Sequence, residues 1–155
     1  MGVGVGLVSG LAGATVTAFL HPATCVAIGN RAVLIEGPPG SGKSSLALAL
    51  IDRGAVLVGD DGVSLTARGG QLFASPPPNI AGLLEVRNLG LLDFPTTHEI
   101  PVALVLRLDP AAERFIEVPE QRDLNAIGLP LVRLWPGGAT LALKAELALE
   151  RYGLA

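Results

Sequence analysis

Apolar residues in this chain gather in short runs that end at glycine or at an acidic residue, and the runs alternate with helix-forming composition. Ala32-Val33-Leu34-Ile35 leads into a glycine-rich loop, and its β-branched content predicts a buried strand. Lys43 to Arg53 is rich in helix formers and is followed by Gly54, a stop signal, so this segment reads as a helix. Ala55-Val56-Leu57-Val58 then predicts a second buried strand, running into Gly59-Asp60-Asp61. Strand, helix, strand within about thirty residues is a βαβ unit, whose strands run parallel through a right-handed crossover.

After Asp61 the pattern changes. Val63-Ser64-Leu65-Thr66 and Gln71-Leu72-Phe73-Ala74 flank Arg68-Gly69-Gly70 and predict a β-hairpin. Ser75-Pro76-Pro77-Pro78-Asn79 is a loop, because proline has no N–H for a ladder. Residues 83–92 and 102–108 read as strands, and Phe115-Ile116-Glu117-Val118 and Leu131-Val132-Arg133-Leu134 as shorter ones. Residues 139–152 have helical composition. The expected fold is α/β: a P-loop-containing domain with a mixed, partly antiparallel sheet and few helices.

A length of 155 residues suits one domain, with no internal repeat or interdomain linker. Half of the residues are hydrophobic but only 4% are aromatic, so the core must be built from Leu, Val, Ile and Ala. A net charge of −3 and the absence of a basic run disfavour a nucleic-acid partner. The single cysteine, Cys25, excludes an internal disulfide; it reads as a small buried hydrophobe, and a reducing, cytoplasmic location is the default. Residues 1–20 carry no charge and are rich in glycine. Their length fits a membrane helix or a signal core, but no positive residue precedes them and four glycines before Leu11 weaken any helix. They are expected to form a disordered or loosely packed extension, with the domain proper over residues 21–155 and no membrane role.

Gly37-Pro38-Pro39-Gly40-Ser41-Gly42-Lys43-Ser44 fits G-x-x-x-x-G-K-[S/T] without mismatch. The predicted strand before it and helix after it are the context the pattern requires. Glycines let the backbone wrap phosphates and present N–H groups, and the helix N-terminus adds a favourable dipole. Lys43 supplies a point charge to the β- and γ-phosphates, and the Ser44 hydroxyl can ligate Mg²⁺. These residues predict binding of a nucleoside triphosphate with Mg²⁺, although no motif reads adenine over guanine.

Asp60 and Asp61 follow the strand after this helix, where α/β sheets carry ligand chemistry. Adjacent strand residues point to opposite sides, so only one of the two faces the γ-phosphate unless the strand has already ended. A carboxylate there could hold Mg²⁺ or accept the proton of an attacking hydroxyl. The plain alternative is a solvated Asp-Asp-Gly turn.

Taken together, His21 through the P-loop, Leu50-Ile51-Asp52-Arg53-Gly54-Ala55, Val58-Gly59-Asp60-Asp61 and Leu84-Glu85-Val86-Arg87-Asn88-Leu89-Gly90 resemble the C-terminal catalytic domain of bacterial HPr kinase/phosphorylase, in its short proteobacterial form. The resemblance spans roughly residues 21 to 150. It implies an ATP-dependent enzyme that phosphorylates a serine of the phosphocarrier HPr, in regulation of carbon metabolism through the phosphotransferase system. It also implies the reverse reaction, in which phosphate attacks phosphoserine to give pyrophosphate. By position, Asp61 resembles the base that takes the serine proton, Ser44 and Glu85 the Mg²⁺ ligands, and His21 a histidine near the site. Arg87 and Gly90 belong to the family's signature element, and family members assemble as hexamers.

The chain departs from that pattern in four places. Longer members carry Gly-Arg-Asn near the last strand, where this chain has Gly137-Gly138-Ala139-Thr140, so an arginine linked to the phosphorylase direction is missing. Arg133 is a possible replacement. Residues 94–100 form a short connection, Asn88 stands for a glycine, and Gly62 stands where a basic residue is common. Away from the motifs, His98 reads as a loop residue and Trp135 as packing. A nucleotide-sensing interaction protein that has lost catalysis is the competing expectation, and a small-molecule kinase a third.

Overall fold

The structure is a computed structural model that describes residues 5–9 and 15–155. Twelve strands and two helices occur among them. The order is β1 (Val5–Ser9), β2 (Thr15–His21), β3 (Thr24–Ile28), β4 (Arg31–Glu36), α1 (Lys43–Asp52), β5 (Val56–Gly59), β6 (Val63–Arg68) and β7 (Gln71–Ser75). Then follow β8 (Leu83–Val86), β9 (Gly90–Asp93), β10 (Ile100–Leu108), β11 (Glu120–Leu124), β12 (Ile127–Leu134) and α2 (Leu141–Tyr152).

β10 joins two sheets. Its first residues, Ile100 and Pro101, pair antiparallel with Ala74 and Phe73, which continues the sheet outward through β7, β6, β2 and β1. Its remaining length pairs parallel with β4 on one side and β12 on the other, and this second sheet runs β5, β3, β4, β10, β12, β11. A strand flanked by two parallel neighbours is covered on both faces, and Val102 to Leu106 is accordingly buried without interruption. β4 divides its side chains by the same logic. Val33 and Ile35 pack with Leu46, Ala47 and Leu50 of α1 and Ala145 and Leu149 of α2. Ala32 and Leu34 face the other way, onto Leu65, Leu72 and Ala74 of the outer sheet. The result is three layers, helices on one sheet on a second sheet, with the P-loop where the middle layer meets the helices.

The βαβ expectation holds for direction but not for adjacency. β4 and β5 are parallel, yet β3 lies between them and is antiparallel to both. The β3–β4 hairpin turns through Gly29 and Asn30, with Ile28 opposite Arg31 and Gly29 at a φ of 62°. The β6–β7 hairpin is where the pattern put it, with Gly69 and Gly70 both at positive φ, the geometry of a type I′ turn.

Three expectations are corrected. Residues 15–20 are not a loose extension: β2 crosses the proposed boundary at residue 20 and pairs with β6 from Thr17–Ala67 to His21–Val63, and β1 adds an antiparallel edge outside it. Residues 83–92 are two strands rather than one. They fold back as the ribbon β8–β9 because Asn88 and Gly90 take positive φ, and the ribbon stands apart from the main sheet. Residues 115–118 form no strand. Phe115 and Val118 are 80% and 75% exposed, and β11, a polar segment, pairs with β12 instead. No helix among the described residues is long and apolar enough to cross a membrane.

A candidate phosphotransfer site

The P-loop is a tight turn set by its glycines. The Ser41 amide donates to the Pro38 carbonyl at 3.1 Å, and Gly40 and Gly42 have φ values of 79° and 102°, which L side chains rarely adopt. A Cβ at Gly37 would lie 2.6 Å from the Ser41 hydroxyl oxygen and 3.3 Å from the Ser41 Cβ, so a side chain there would displace Ser41 from the inner side of the loop. Gly42 caps α1 with no side-chain bond, which leaves the first amides of the helix free to meet an anion. Lys43 folds back over the loop, its Nζ donating to the Gly37 and Pro38 carbonyls at 2.9 and 3.2 Å.

β5 ends at Gly59, so the aspartates after it are free of strand alternation. A Cβ at Gly59 would overlap the carbonyl oxygen of Gly62, which shows how tightly the Gly59–Gly62 turn is drawn. Asp61 takes a φ of 58°. The two carboxylates consequently do different things. Asp60 turns inward, where its Oδ1 accepts from the Ser44 hydroxyl at 2.7 Å and from the Thr24 hydroxyl at 3.0 Å. Its Oδ2 accepts from the Glu85 amide at 3.1 Å. Asp61 is exposed and lines a cleft of about 240 Å³. One wall of that cleft is the P-loop and the first turn of α1, including Lys43 and Ser44; Asp61, Glu85 and Arg87 form the other.

Glu85 reaches the cleft because β8 alternates. Leu84 is fully buried, and Glu85 emerges on the opposite face. The bond from its amide to Asp60 pins the ribbon beside the P-loop. The donor set facing the cleft, a hydroxyl on Ser44 and carboxylates on Asp61 and Glu85, is all hard oxygen and suits Mg²⁺.

Lys43, Ser44, Asp61, Glu85 and Arg87 are therefore brought together. His21 is not a lining residue of this cleft. It is 9% exposed, and its Nε2 donates to Glu36 Oε2 at 2.9 Å, while Arg107 and Arg122 approach the same carboxylate at 3.1 and 3.2 Å. Burial alone would push the Glu36 carboxyl up, but hydrogen bonds from His21, Arg122 and Arg107 outweigh it and bring the group down to about 2. Glu36 directly precedes Gly37, so this anchored carboxylate links His21 to the start of the P-loop. Arg133 is also elsewhere: it binds Asp109 at 3.0 Å and Glu120 at 2.7 Å. Burial pushes the Cys25 thiol far up, as expected of an inert core group. Trp135 donates from Nε1 to the Ala112 carbonyl at 2.7 Å and is 45% exposed. Thr24 is a member of the site that no sequence motif marks, and Asp60 belongs to the acidic pair but had no role of its own in the sequence-based expectation.

Fold and cleft together define a phosphate-binding P-loop domain with acidic groups facing the phosphate cradle. The HPr Serine kinase C-terminal domain family matches residues 15–103, more than half of the chain, and the chain belongs to that family. The HPr kinase/phosphorylase of Clostridium beijerinckii is 44% identical over 104 residues, covering 67% of this chain and 34% of that protein. Its counterpart in Burkholderia cenocepacia is 36% identical over 134 residues, covering 76% of this chain and 41% of that protein. The chain thus spans well under half the length of these curated relatives. Among solved structures, the Hpr(Ser) kinase/phosphatase from Coxiella burnetii superposes with a TM-score of 0.76 at 28% identity, covering 84% of this chain and 88% of that one.

Proposed function

We propose that this protein is a serine kinase that transfers the γ-phosphoryl group of ATP to an HPr-like phosphocarrier protein. The observation that carries the reading is the disposition of Asp61 across one cleft from Lys43 and Ser44, with Asp60 occupied elsewhere. A carboxylate with no side-chain partner among the described residues, opposite a phosphate cradle, is available to a hydroxyl nucleophile. The names of the relatives point to HPr as the acceptor, and such a carrier and ATP meet in the cytoplasm.

In the proposed reaction the P-loop amides and Lys43 hold the β- and γ-phosphates in place. The acceptor serine enters from the Asp61 side. Its Oγ forms a bond to the γ-phosphorus as the bond from that phosphorus to the β,γ-bridging oxygen breaks. The serine proton passes to the Asp61 carboxylate, and ADP leaves. Ser44 and Glu85 would hold Mg²⁺, which neutralises charge on the phosphate oxygens when bound. Arg87 adds positive charge on the acceptor side of the cleft. Asp60 keeps the Ser44 hydroxyl directed and fixes the Glu85 ribbon.

The forward direction is the one proposed. Reversal by phosphorolysis needs a second phosphate in the site. At Gly137-Gly138 there is no side chain to hold one, and Arg133 is engaged by Asp109 and Glu120.

Incubation with ATP, Mg²⁺ and HPr from the same organism tests the reading. Phosphoserine on HPr, detected by mass spectrometry, is the expected product. ATP binding without phosphoserine on HPr would remove the substrate assignment, and the absence of both would remove the kinase.

A further inference from the structure

Most of the 11 lysines and arginines of this chain are engaged. Arg53, Arg68, Arg107, Arg122 and Arg133 pair with carboxylates. Arg31 and Lys43 donate to backbone carbonyls, and Arg87 lines the phosphate cleft. Arg114, Lys144 and Arg151 remain. Among the described residues none of them has a carboxylate or carbonyl partner, and all three line one cavity of about 270 Å³. It lies between α2 and the loop over residues 112–116, and it shares no lining residue with the phosphate cleft. Lys144, Leu147 and Arg151 are three and four residues apart, which sets them on one face of α2. Val132, Leu134 and Ala148 supply an apolar floor. The bond from Trp135 to the Ala112 carbonyl ties the loop to the end of β12 and so holds the two walls together. Each free cation also lies against an aromatic ring. Arg114 is 5.6 Å from the centre of Phe115, and Lys144 and Arg151 are each 5.9 Å from Trp135 and Tyr152 respectively.

We propose that this cavity is a second ligand site, which takes an amphipathic organic anion: an aryl or short acyl body on the floor, with its anionic head among Arg114, Lys144 and Arg151. Like charges gathered around one hollow repel each other, and an anion between them relieves that repulsion. Two other charged groups belong to the lining. Glu113 carries one negative charge, and Arg133 is engaged by Asp109 and Glu120. The three free cations therefore exceed the lining's own carboxylate by two charges, which suits a phosphate head better than a carboxylate. The whole chain carries −3, so this positive excess is local to the hollow. The apolar floor and the rings gain only when an apolar surface covers them, which a bare ion or a sugar phosphate does not provide. A guanidinium beside a ring keeps N–H groups free for the anion's oxygens. No group of the phosphate cleft takes part, so the inference stands apart from the phosphotransfer reading.

Trp135 is the chain's single tryptophan and lines the cavity, so its emission reports occupancy directly. Phenyl phosphate is the probe, titrated into the full chain, and Trp135 emission should follow a saturable curve. Benzyl alcohol, which lacks the charge, and glucose 6-phosphate, which lacks the apolar body, should each bind at least about tenfold more weakly. 3-Phenylpropionate should bind about threefold more weakly or worse, because its head carries one charge. Leu147 is exposed, and Leu147→Glu sets a carboxylate in the hollow that should weaken phenyl phosphate by about tenfold or more. Arg151→Gln, a milder change at an exposed position, should weaken it about three- to tenfold. Lys43→Ala, in the phosphate cleft, should leave the emission curve within about threefold of the wild type. An emission that does not respond overturns the site, and so does a curve that neither Leu147→Glu nor Arg151→Gln shifts. A curve that Lys43→Ala shifts as far as Arg151→Gln does overturns its separation from the phosphate cleft. Benzyl alcohol binding as tightly as phenyl phosphate overturns the part given to the cations. Glucose 6-phosphate binding as tightly overturns the part given to the floor, and 3-phenylpropionate binding as tightly overturns the preference for a doubly charged head.

Discussion

The Ser44 hydroxyl donates to Oδ1 of Asp60 at 2.7 Å, tying the first turn of α1 to the turn after β5. The same carboxylate takes the Thr24 hydroxyl and the Glu85 amide, so one side chain joins the P-loop helix, β3 and the β8–β9 ribbon. Asp60→Ala frees all three at once. Hydrogen bonds to a charged group are worth about 1.5–3 kcal/mol each, so nucleotide·Mg²⁺ affinity should fall by at least about tenfold. Thr24→Val, which removes one of the three, should have a smaller effect. Isothermal titration of both variants checks the ranking.

The turn between β5 and β6 has no room for a side chain at its start. Gly59→Ala sets a methyl group against the Gly62 carbonyl and must push the Asp60–Asp61 turn outward. Overpacking of this kind costs about 1–3 kcal/mol, to be read from the urea midpoint. Activity should fall further than stability alone explains, since Asp60 and Asp61 move with the turn.

Glu36 makes stability depend on acid. Its folded value of about 2 lies below the ordinary 4.5, so its contribution is complete above about pH 4.5 and is lost as the pH falls toward 2. The shift corresponds to at most roughly 3 kcal/mol, because the arginines that lower it are about one-third exposed and screened. Glu36→Gln should destabilise the protein at pH 7 and flatten its stability between pH 4.5 and 2. Thermal melts of both proteins across that range measure the difference. An unchanged acid slope would place the titration on other carboxylates.

Arg87 faces the phosphate cleft from the exposed side of the ribbon. Arg87→Ala should raise the KM for nucleotide about three- to tenfold, as the loss of an exposed charge near phosphate does, and the effect should shrink in high salt. Kinetics at two ionic strengths distinguish this from a folding defect, which salt would not relieve in the same way.

Much of this was legible in the residues, and the failures have physical causes. The P-loop, its strand and its helix were readable because glycine, lysine and serine at those spacings have few other uses. The β6–β7 hairpin was readable because Gly69-Gly70 is a strong turn signal. β3 escaped notice although Gly29-Asn30 marks a two-residue turn, because the hairpin was hidden beside a more conspicuous motif. β11 is polar and turns through Asn125-Ala126, a weaker signal than Asn-Gly, whereas Phe115 to Val118 is mostly apolar but pairs with no strand among the described residues. Residues 15–20 looked like an extension because their composition is apolar and uncharged, which is also what a strand of the outer sheet requires. At the site, spacing identified the groups but not their division of labour. That Asp60 binds Ser44 while Asp61 faces the cleft follows from where β5 ends, and that point is a property of the folded turn.

The assignment of Asp61 as the proton acceptor is the central claim, and a paired measurement on Asp61→Asn tests it most directly. Transfer of labelled γ-phosphate to HPr and affinity for ATP·Mg²⁺ would be measured on the same preparation. Transfer should fall by about 10²–10⁴-fold, the usual worth of a general base, with ATP affinity within about threefold of the wild type. Transfer retained at near wild-type rate would contradict the account, and so would parallel loss of transfer and ATP binding, since Asp61 would then serve the phosphates rather than the acceptor.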